Sequence, residues 1–404
     1  MELIRSKKIK QQKTYCILAV DLEPAPYKID LWNTFSDSNE IELFVVYTER
    51  KNWSPDGGHN YLKWPSKRHE NTVFEGKGIY GTLRSALFVA KKIWSGKTDL
   101  IYISGYVHFT TLVALICSIV LRKSFVMHAD EFNNNRLQGN IGFLKVLFRA
   151  LLRNLIFRYG DAILVCGRRG IETAIVAGCK REKVLDFPYV IDVERMKIDD
   201  PEVIPAACIQ DVDEGATIIF FSGRMIPRKG LPTLLAALAS IPISKKWVLW
   251  IEGDGPELSR YKLLAQEHGI QKRCRFLGFC QYELHSWLIR SSSIVVVPSL
   301  VDTWGIVVDE GIQLGKVVIS SDATGSGYDR ILDGQNGFIF PAGDSMMLGI
   351  LLVELIDNPG QRVRIGDVNI SRTNIFRPVH NFETLLNFIK KNTGESKNLP
   401  NRIV

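Results

Sequence analysis

Only seven cysteines occur in 404 residues: Cys16, Cys117, Cys166, Cys179, Cys208, Cys274 and Cys280. They are odd in number, scattered and never in a C-x-x-C pair. That excludes a disulfide framework or a zinc site and fits a reducing compartment. Neither half has a G-x-G-x-x-G after a candidate strand, so the fingerprint of a nicotinamide-dependent oxidoreductase is missing. Long hydrophobic runs are scarce too. The opening MELIRSKKIKQQK is basic, but the apolar run 15–20 behind it is short and meets Asp21 and Glu23 at once. It reads as a first buried strand and not as a leader. The stretch 101–121 contains Gly105, His108 and paired threonines, and a strand followed by a buried helix accounts for it without lipid.

Acidic side chains are scarce in one region. Residues 51–160 hold 16 Lys and Arg against 6 Asp and Glu. The whole excess of +8 lies in residues 1–200, with 30 basic against 22 acidic, while 201–404 balance at 21 each. A one-sided basic surface seeks an anionic partner: nucleic acid, phosphorylated lipid or a membrane. The segment 142–160, GFLKVLFRALLRNLIFRYG, has no acid at all. Lys145, Arg149 and Arg153 recur every four positions, and Arg158 falls off their stripe. Phe143, Leu147, Leu151 and Leu155 line a neighbouring stripe, as in a helix lying in a lipid interface. The bland alternative is a core helix with a solvated basic edge. The expected partner is an anionic membrane surface, with no nucleic acid.

A chain of this length exceeds what one core supports. Short β-rich apolar runs alternate with helical patterns. Strands are predicted at 15–20, 41–47, 100–103, 124–128 and 162–166, then at 218–221, 247–252, 275–276, 294–297 and 317–320. Helices are predicted at 80–94, 144–157, 231–239 and 258–268, among others. The alternation implies an α/β architecture: two Rossmann-like, doubly wound domains facing across a cleft. The polar, proline-bearing stretch 198–217 divides an N-terminal domain (1–200) from a C-terminal one (201–375). A helix over 376–392 is free to pack back on the first domain, and 393–404 has the composition of a disordered tail.

Two strings in the second half carry chemistry. In VPSLVDTWGIVVDEGIQLGKVVISSD (297–322), Asp302 and Glu310 stand eight apart around Trp304 and Gly305. With a helix opening at Gly305, the turn before it lies at a strand's carboxyl end, where open parallel sheets bind ligands. Asp302 then sits in the pocket and Glu310 on the helix below. A carboxylate's two oxygens can accept from vicinal hydroxyls such as those of a ribose. In SGRMIPRKGLPTLLAAL (222–238), Gly223 permits a tight turn, and Arg224 and Lys229 lie five apart before a helix N-terminus. That set suits a diphosphate departing with two negative charges.

These strings resemble the retaining, nucleotide-sugar-dependent glycosyltransferases of the GT-B fold, specifically glycosyltransferase family 4 of bacterial surface-polysaccharide type. Asp302 and Glu310 match the acidic-x7-Glu signature, with Asp302 where the pattern usually has Glu. Residues 223–230 match G-R-x4-K-G, whose Arg and Lys hold the donor diphosphate, which maps to Arg224 and Lys229. IEGDGPE (251–257) is similar to the family's Gly-rich turn at Gly253, and RFLGF (275–279) to the turn near the nucleobase at Gly278. The backbone amides after the signature's first acid, here Thr303, Trp304 and Gly305, meet the donor sugar. Segment 323–344 is similar to the closing element, with Asp329 where a Glu is usual.

In the first half, SFVMHADEF (124–132) places His128 where the family has a His near the transferred sugar. DLEPAPYKIDLWNTF (21–35) resembles the opening strand-turn-helix but lacks glycine, so a phosphate cradle is not supported there. FPYVIDVERM (187–196) has Tyr189 for the usual Asn. The resemblance implies a hexosyltransferase needing no metal and no cofactor, with a UDP- or GDP-sugar as donor substrate. It also implies a glycan or lipid-linked acceptor in lipopolysaccharide, capsule or exopolysaccharide synthesis, at the cytoplasmic face of the membrane. Its catalytic set is Arg224, Lys229, Asp302 and His128; its donor-binding set is Gly223, Gly253, Gly278, Thr303, Trp304, Gly305 and Glu310. The other reading is a GT-B scaffold without catalysis that binds nucleic acid or membrane.

Overall fold

The computed structural model describes residues 13–22, 24–47, 70–73, 79–132, 143–198, 201–373 and 377–394; of the expected tail over 393–404, residues 395–404 lie outside them. Seven strands form the first sheet: β1 (Tyr15–Asp21), β2 (Ile41–Tyr47), β3 (Glu70–Val73), β4 (Leu100–Ser104), β5 (Phe125–Ala129), β6 (Ala162–Val165) and β7 (Val184–Asp186). Six form the second: β8 (Thr217–Ser222), β9 (Trp247–Glu252), β10 (Cys274–Gly278), β11 (Ile294–Val297), β12 (Val317–Ser321) and β13 (Phe338–Phe340). The orders are β3-β2-β1-β4-β5-β6-β7 and β10-β9-β8-β11-β12-β13. Every pairing is parallel.

Parallel strands covered on both faces need continuous apolar sequence, because no side of them meets water. YCILAVD of β1 and IVVV of β11 are buried throughout. The crossover helices supply the cover. On one face of the first sheet Trp32 and Phe35 pack against Tyr102; on the other Val89, Ile93 and Leu115 pack against Ile101. Strand order reverses between β1 and β4, and again between β8 and β11, so a crevice opens at the carboxyl ends at each point.

The polar stretch between the domains is not bare. It holds a short helix, Ala206–Asp213, whose Cys208 is buried and whose Asp211 accepts from Trp250 Nε1 at 2.9 Å and pairs with Arg275 at 2.7 Å. The last helix, Pro378–Asn392, returns to the first domain. There Leu385, Leu386 and Ile389 join the cluster around Trp32, and Phe382 meets Phe35 edge-on at 5.1 Å between centroids.

The stretch 101–121 divides into β4 and the helix Phe109–Val120. Among the described residues no helix is long and apolar enough to cross a membrane. The basic segment is a helix, Phe143–Tyr159, that buries Leu152 and Ile156 and exposes Leu144, Val146, Leu147, Phe148 and Leu151. Of the expected apolar stripe, Leu147 and Leu151 face outward while Leu155 is half-buried. The helix Ile79–Trp94 lies on the same sheet face and exposes Leu87 and Trp94, and Phe109–Val120 exposes Ile116 and Val120.

Candidate functional site

The apolar run of β8 ends at Ser222. The chain leaves through Gly223 and Arg224, buries Met225, turns through Pro227–Lys229 and enters the helix Leu231–Ala239. A proline at that helix's start suits the entry, since its missing N–H would be unpaired there anyway. Lys229 Nζ lies 2.6 Å from Asp302 Oδ2, joining the β8 loop to the β11 loop across the switch point. Ser299 Oγ donates to the same oxygen at 3.4 Å, and Arg228 stands 3.9 Å from Oδ1. Asp302 is buried, so it serves as Lys229's counter-ion rather than as an open acid.

Beyond Asp302 the chain passes Thr303 and Trp304 to Gly305, which opens the helix Ile306–Gln313 at φ +86°; a Cβ there would stand 2.6 Å from Thr324 Cγ2. Trp304 is buried beneath the Arg330 guanidinium, 4.9 Å from the ring. Arg330 in turn pairs with Asp309 at 2.9 Å. Burial pushes the Asp309 carboxyl up to about 6, although Arg330 pulls the other way. Thr303 Oγ1 donates to Asp130 Oδ2 of the first domain at 3.0 Å.

Glu310 is buried on the same helix, with Oε2 3.0 Å from His285 Nε2. His285 Nδ1 lies 2.6 Å from Oε2 of Glu252, the last residue of β9. The next residue, Gly253, has φ +124°, and a Cβ on it would come 2.0 Å from the Gly223 carbonyl oxygen. Gly223 N–H donates to Glu252 C=O at 3.1 Å, and Gly253 N–H to Gly278 C=O at 2.7 Å. Gly223, Gly253 and Gly278, far apart in sequence, therefore meet at neighbouring strand ends. Gly223 itself is outside the left-handed region and a Cβ would sit 3.5 Å from Phe221, so the turn expected there does not depend on glycine.

His128 lines a small cavity of the first domain with Lys28, Phe187 and Tyr189. Expected near a transferred sugar, it is 2% exposed inside the first domain. Its Nδ1 faces the Tyr102 hydroxyl at 2.6 Å and Lys28 Nζ at 3.5 Å, and Nε2 faces Cys166 Sγ at 3.7 Å. Burial, with the Lys28 ammonium adding to it, holds its pKa well below the usual imidazole value, so the ring is neutral and packed. The neighbouring turn spends its charges internally too: Lys28 pairs with Asp21 at 3.2 Å, both buried. Asp130, two residues past His128, reaches the other domain.

Sequence reasoning did not single out Asp130, Glu252, His285 or Arg168. Arg168 donates from its backbone N–H and its Nε to Asp329 at 2.9 and 2.8 Å, with its guanidinium 4.3 Å over the Tyr328 ring. Asp329 thus joins the two domains. Among the described residues no three His, Cys, Asp or Glu are grouped to hold a metal ion.

The chain is similar to proteins of known name. Over 217 residues it is 29% identical to the lipopolysaccharide core biosynthesis glycosyltransferase LpsE of Rhizobium meliloti, covering 52% of this chain and 58% of that one. Over 153 residues it is 34% identical to the phosphatidyl-myo-inositol mannosyltransferase of Mycobacterium leprae, covering 37% and 40%. The chain thus spans about half the length of these relatives. Its architecture matches HepE of Anabaena, solved in complex with UDP, with a TM-score of 0.73 at 19% identity over 93% of this chain and 99% of that one. The fold is GT-B. Residues 209–371, the stretch that holds Gly223 through Asp329, match the family model of glycosyl transferases group 1.

Proposed function

We propose that the chain is a retaining glycosyltransferase of family 4, moving a hexose-type sugar from a nucleoside-diphosphate sugar to a lipid-linked or polysaccharide acceptor in cell-surface glycan synthesis. One observation carries this reading: Lys229 and Asp302 meet across the β8–β11 switch point, with Arg224 on the same loop and Glu310 on the helix that follows. Glu310 suits the ribose's vicinal hydroxyls, Arg224 and Lys229 the diphosphate, and the turn Thr303–Gly305 the sugar. As the bond to the diphosphate breaks, charge grows on the leaving oxygens, and fixed cations there stabilise it. They take the part a metal plays in other transferases. Asp302, held by Lys229, is poorly placed as a nucleophile, which favours front-face attack with the departing phosphate taking the acceptor's proton. The relatives' names support the reading: LpsE is a lipopolysaccharide core glycosyltransferase, and HepE was also solved with UDP-glucose.

The test is a panel of sugar nucleotides incubated with the full chain and candidate acceptors, following release of UDP or GDP. Release with one donor is expected. Nucleotide binding without release under any donor would favour a scaffold without catalysis, and no binding would remove the donor reading.

The acceptor side carries a second expectation. Exposed Leu144, Leu147 and Leu151 lie beside Lys145 and Arg149, on the sheet face that also presents Leu87 and Trp94. Each basic residue near an anionic leaflet contributes roughly 1 kcal/mol, and the apolar side chains add to it. The chain is expected to sediment with anionic but not neutral vesicles and to be released by high salt, as suits a peripheral enzyme on the inner face of the cytoplasmic membrane. Lys145→Glu with Leu147→Glu changes exposed positions only and is expected to abolish sedimentation. Binding that survives both changes rules this helix out as the anchor.

A further inference from the structure

The donor-side turns are tied together by a residue that the proposed chemistry leaves idle. Glu252, His285 and Glu310 are buried and stand in a row, with contacts of 2.6 Å at His285 Nδ1 and 3.0 Å at Nε2. Two such contacts to carboxylate oxygens need two protons. A neutral imidazole has one N–H and one lone pair, and a lone pair facing a carboxylate at this range repels it. The row therefore keeps one proton more than a neutral ring between two carboxylates would hold.

The ring's other neighbours do not replace that proton. Phe220 and Tyr282 lie 6.0 and 6.2 Å away between centroids. The Asp309 carboxyl, next to Glu310, is already paired with Arg330, and the Cys280 thiol near Glu252 is kept protonated by burial.

We propose that His285 is a positioning residue of the donor pocket: it holds Glu310 by one oxygen, leaves the other for the ribose, and couples Glu310 to the loops that meet the diphosphate and the base. This rests on the donor reading above. The coupling runs through Glu252. Its side chain binds His285, its carbonyl accepts from Gly223 of the diphosphate loop, and its neighbour Gly253 donates to Gly278 at the base turn. A ribose on Glu310 and a diphosphate on Arg224 and Lys229 are thereby held at a fixed spacing. Pre-set spacing of this kind improves affinity because less ordering is left to the binding step.

Burial opposes a charged ring, but the two carboxylates outweigh it, and His285 titrates well above the ordinary value of 6.5. The contact is at full strength in mild acid, persists at neutral pH and is lost as pH rises through the raised value.

Calorimetry with UDP and GDP on the full chain and on His285→Gln, from mildly acidic to alkaline pH, tests this. The unaltered chain is expected to lose affinity on the alkaline side. His285→Gln is expected to bind roughly tenfold or more weakly at neutral pH, with a flat profile and kcat at saturating donor little changed. Equal affinity and an equal profile overturn the inference while leaving the donor reading intact. Failure of the unaltered chain to bind either nucleotide removes the donor reading and the inference together. Glu252→Gln, which weakens the far end of the row, is expected to act in the same direction. Nitrogen spectra of the unaltered chain need no variant: a charged His285 ring at neutral pH is expected, and a neutral ring with both carboxyls ionised overturns the inference.

Discussion

Arg224→Ala is expected to lower kcat by roughly 10²–10³ while donor KM moves only a few-fold. Arg224 is exposed on the loop after β8, so its truncation opens no cavity in the core and the fold is expected to hold. On the proposed reading its guanidinium acts most as the diphosphate takes up the charge of the broken bond, so the loss is expected to fall on the chemical step. Lys229→Ala is a poorer probe, because it also strands the buried Asp302 carboxylate without its 2.6 Å partner. Steady-state kinetics with a saturating donor decide the matter. An unchanged kcat with a raised KM would place Arg224 in ground-state binding alone.

Gly253→Ala is expected to unfold the second domain about 10 °C earlier and to abolish UDP binding. The added Cβ would stand 2.0 Å from the Gly223 carbonyl oxygen and 2.8 Å from its carbon, at a φ of +124°. Both obstacles are backbone, so no rotamer relieves them. Left-handed strain contributes roughly 1–3 kcal/mol and the overlap about as much again, in a domain where each kcal/mol shifts Tm by roughly 2–4 °C. Gly278→Ala is the control: φ is +70°, but nothing lies within 4 Å of the new Cβ, so only the strain remains. Equal melting of the two variants would show that the turns do not touch.

The central strands are legible in the sequence because both their faces are covered, which demands runs such as ILAV and IVVV. The edges are not. β3 reads ENTV with no run at all, and β7 and β13 have three residues each. The same contrast holds in the site. Arg224, Lys229, Asp302 and Glu310 each fall within one local string beside a strand end, so spacing and the family resemblance together bring them forward. His285 lies on an ordinary amphipathic helix, Tyr282–Ser291, and its partners stand 33 residues before and 25 after it. Arg168 and Asp329 are 161 residues apart. A histidine at a strand end reads as cleft-facing, but whether His128 meets the cleft or the core depends on Tyr102, Lys28 and Cys166, none of which is its neighbour in sequence.

The returning helix Pro378–Asn392 gives the chain an unusual schedule of manufacture. Trp32 and Phe35 leave the ribosome early, yet the side chains that shield them, Phe382, Leu385 and Ile389, are added only after the whole second sheet. At roughly 5–20 residues per second, that interval lasts on the order of tens of seconds. During it the cluster around Trp32 and Phe35 lacks the part of its cover that the last helix brings. The domain whose synthesis begins first is therefore the last to complete its core, at the helix Pro26–Ser36.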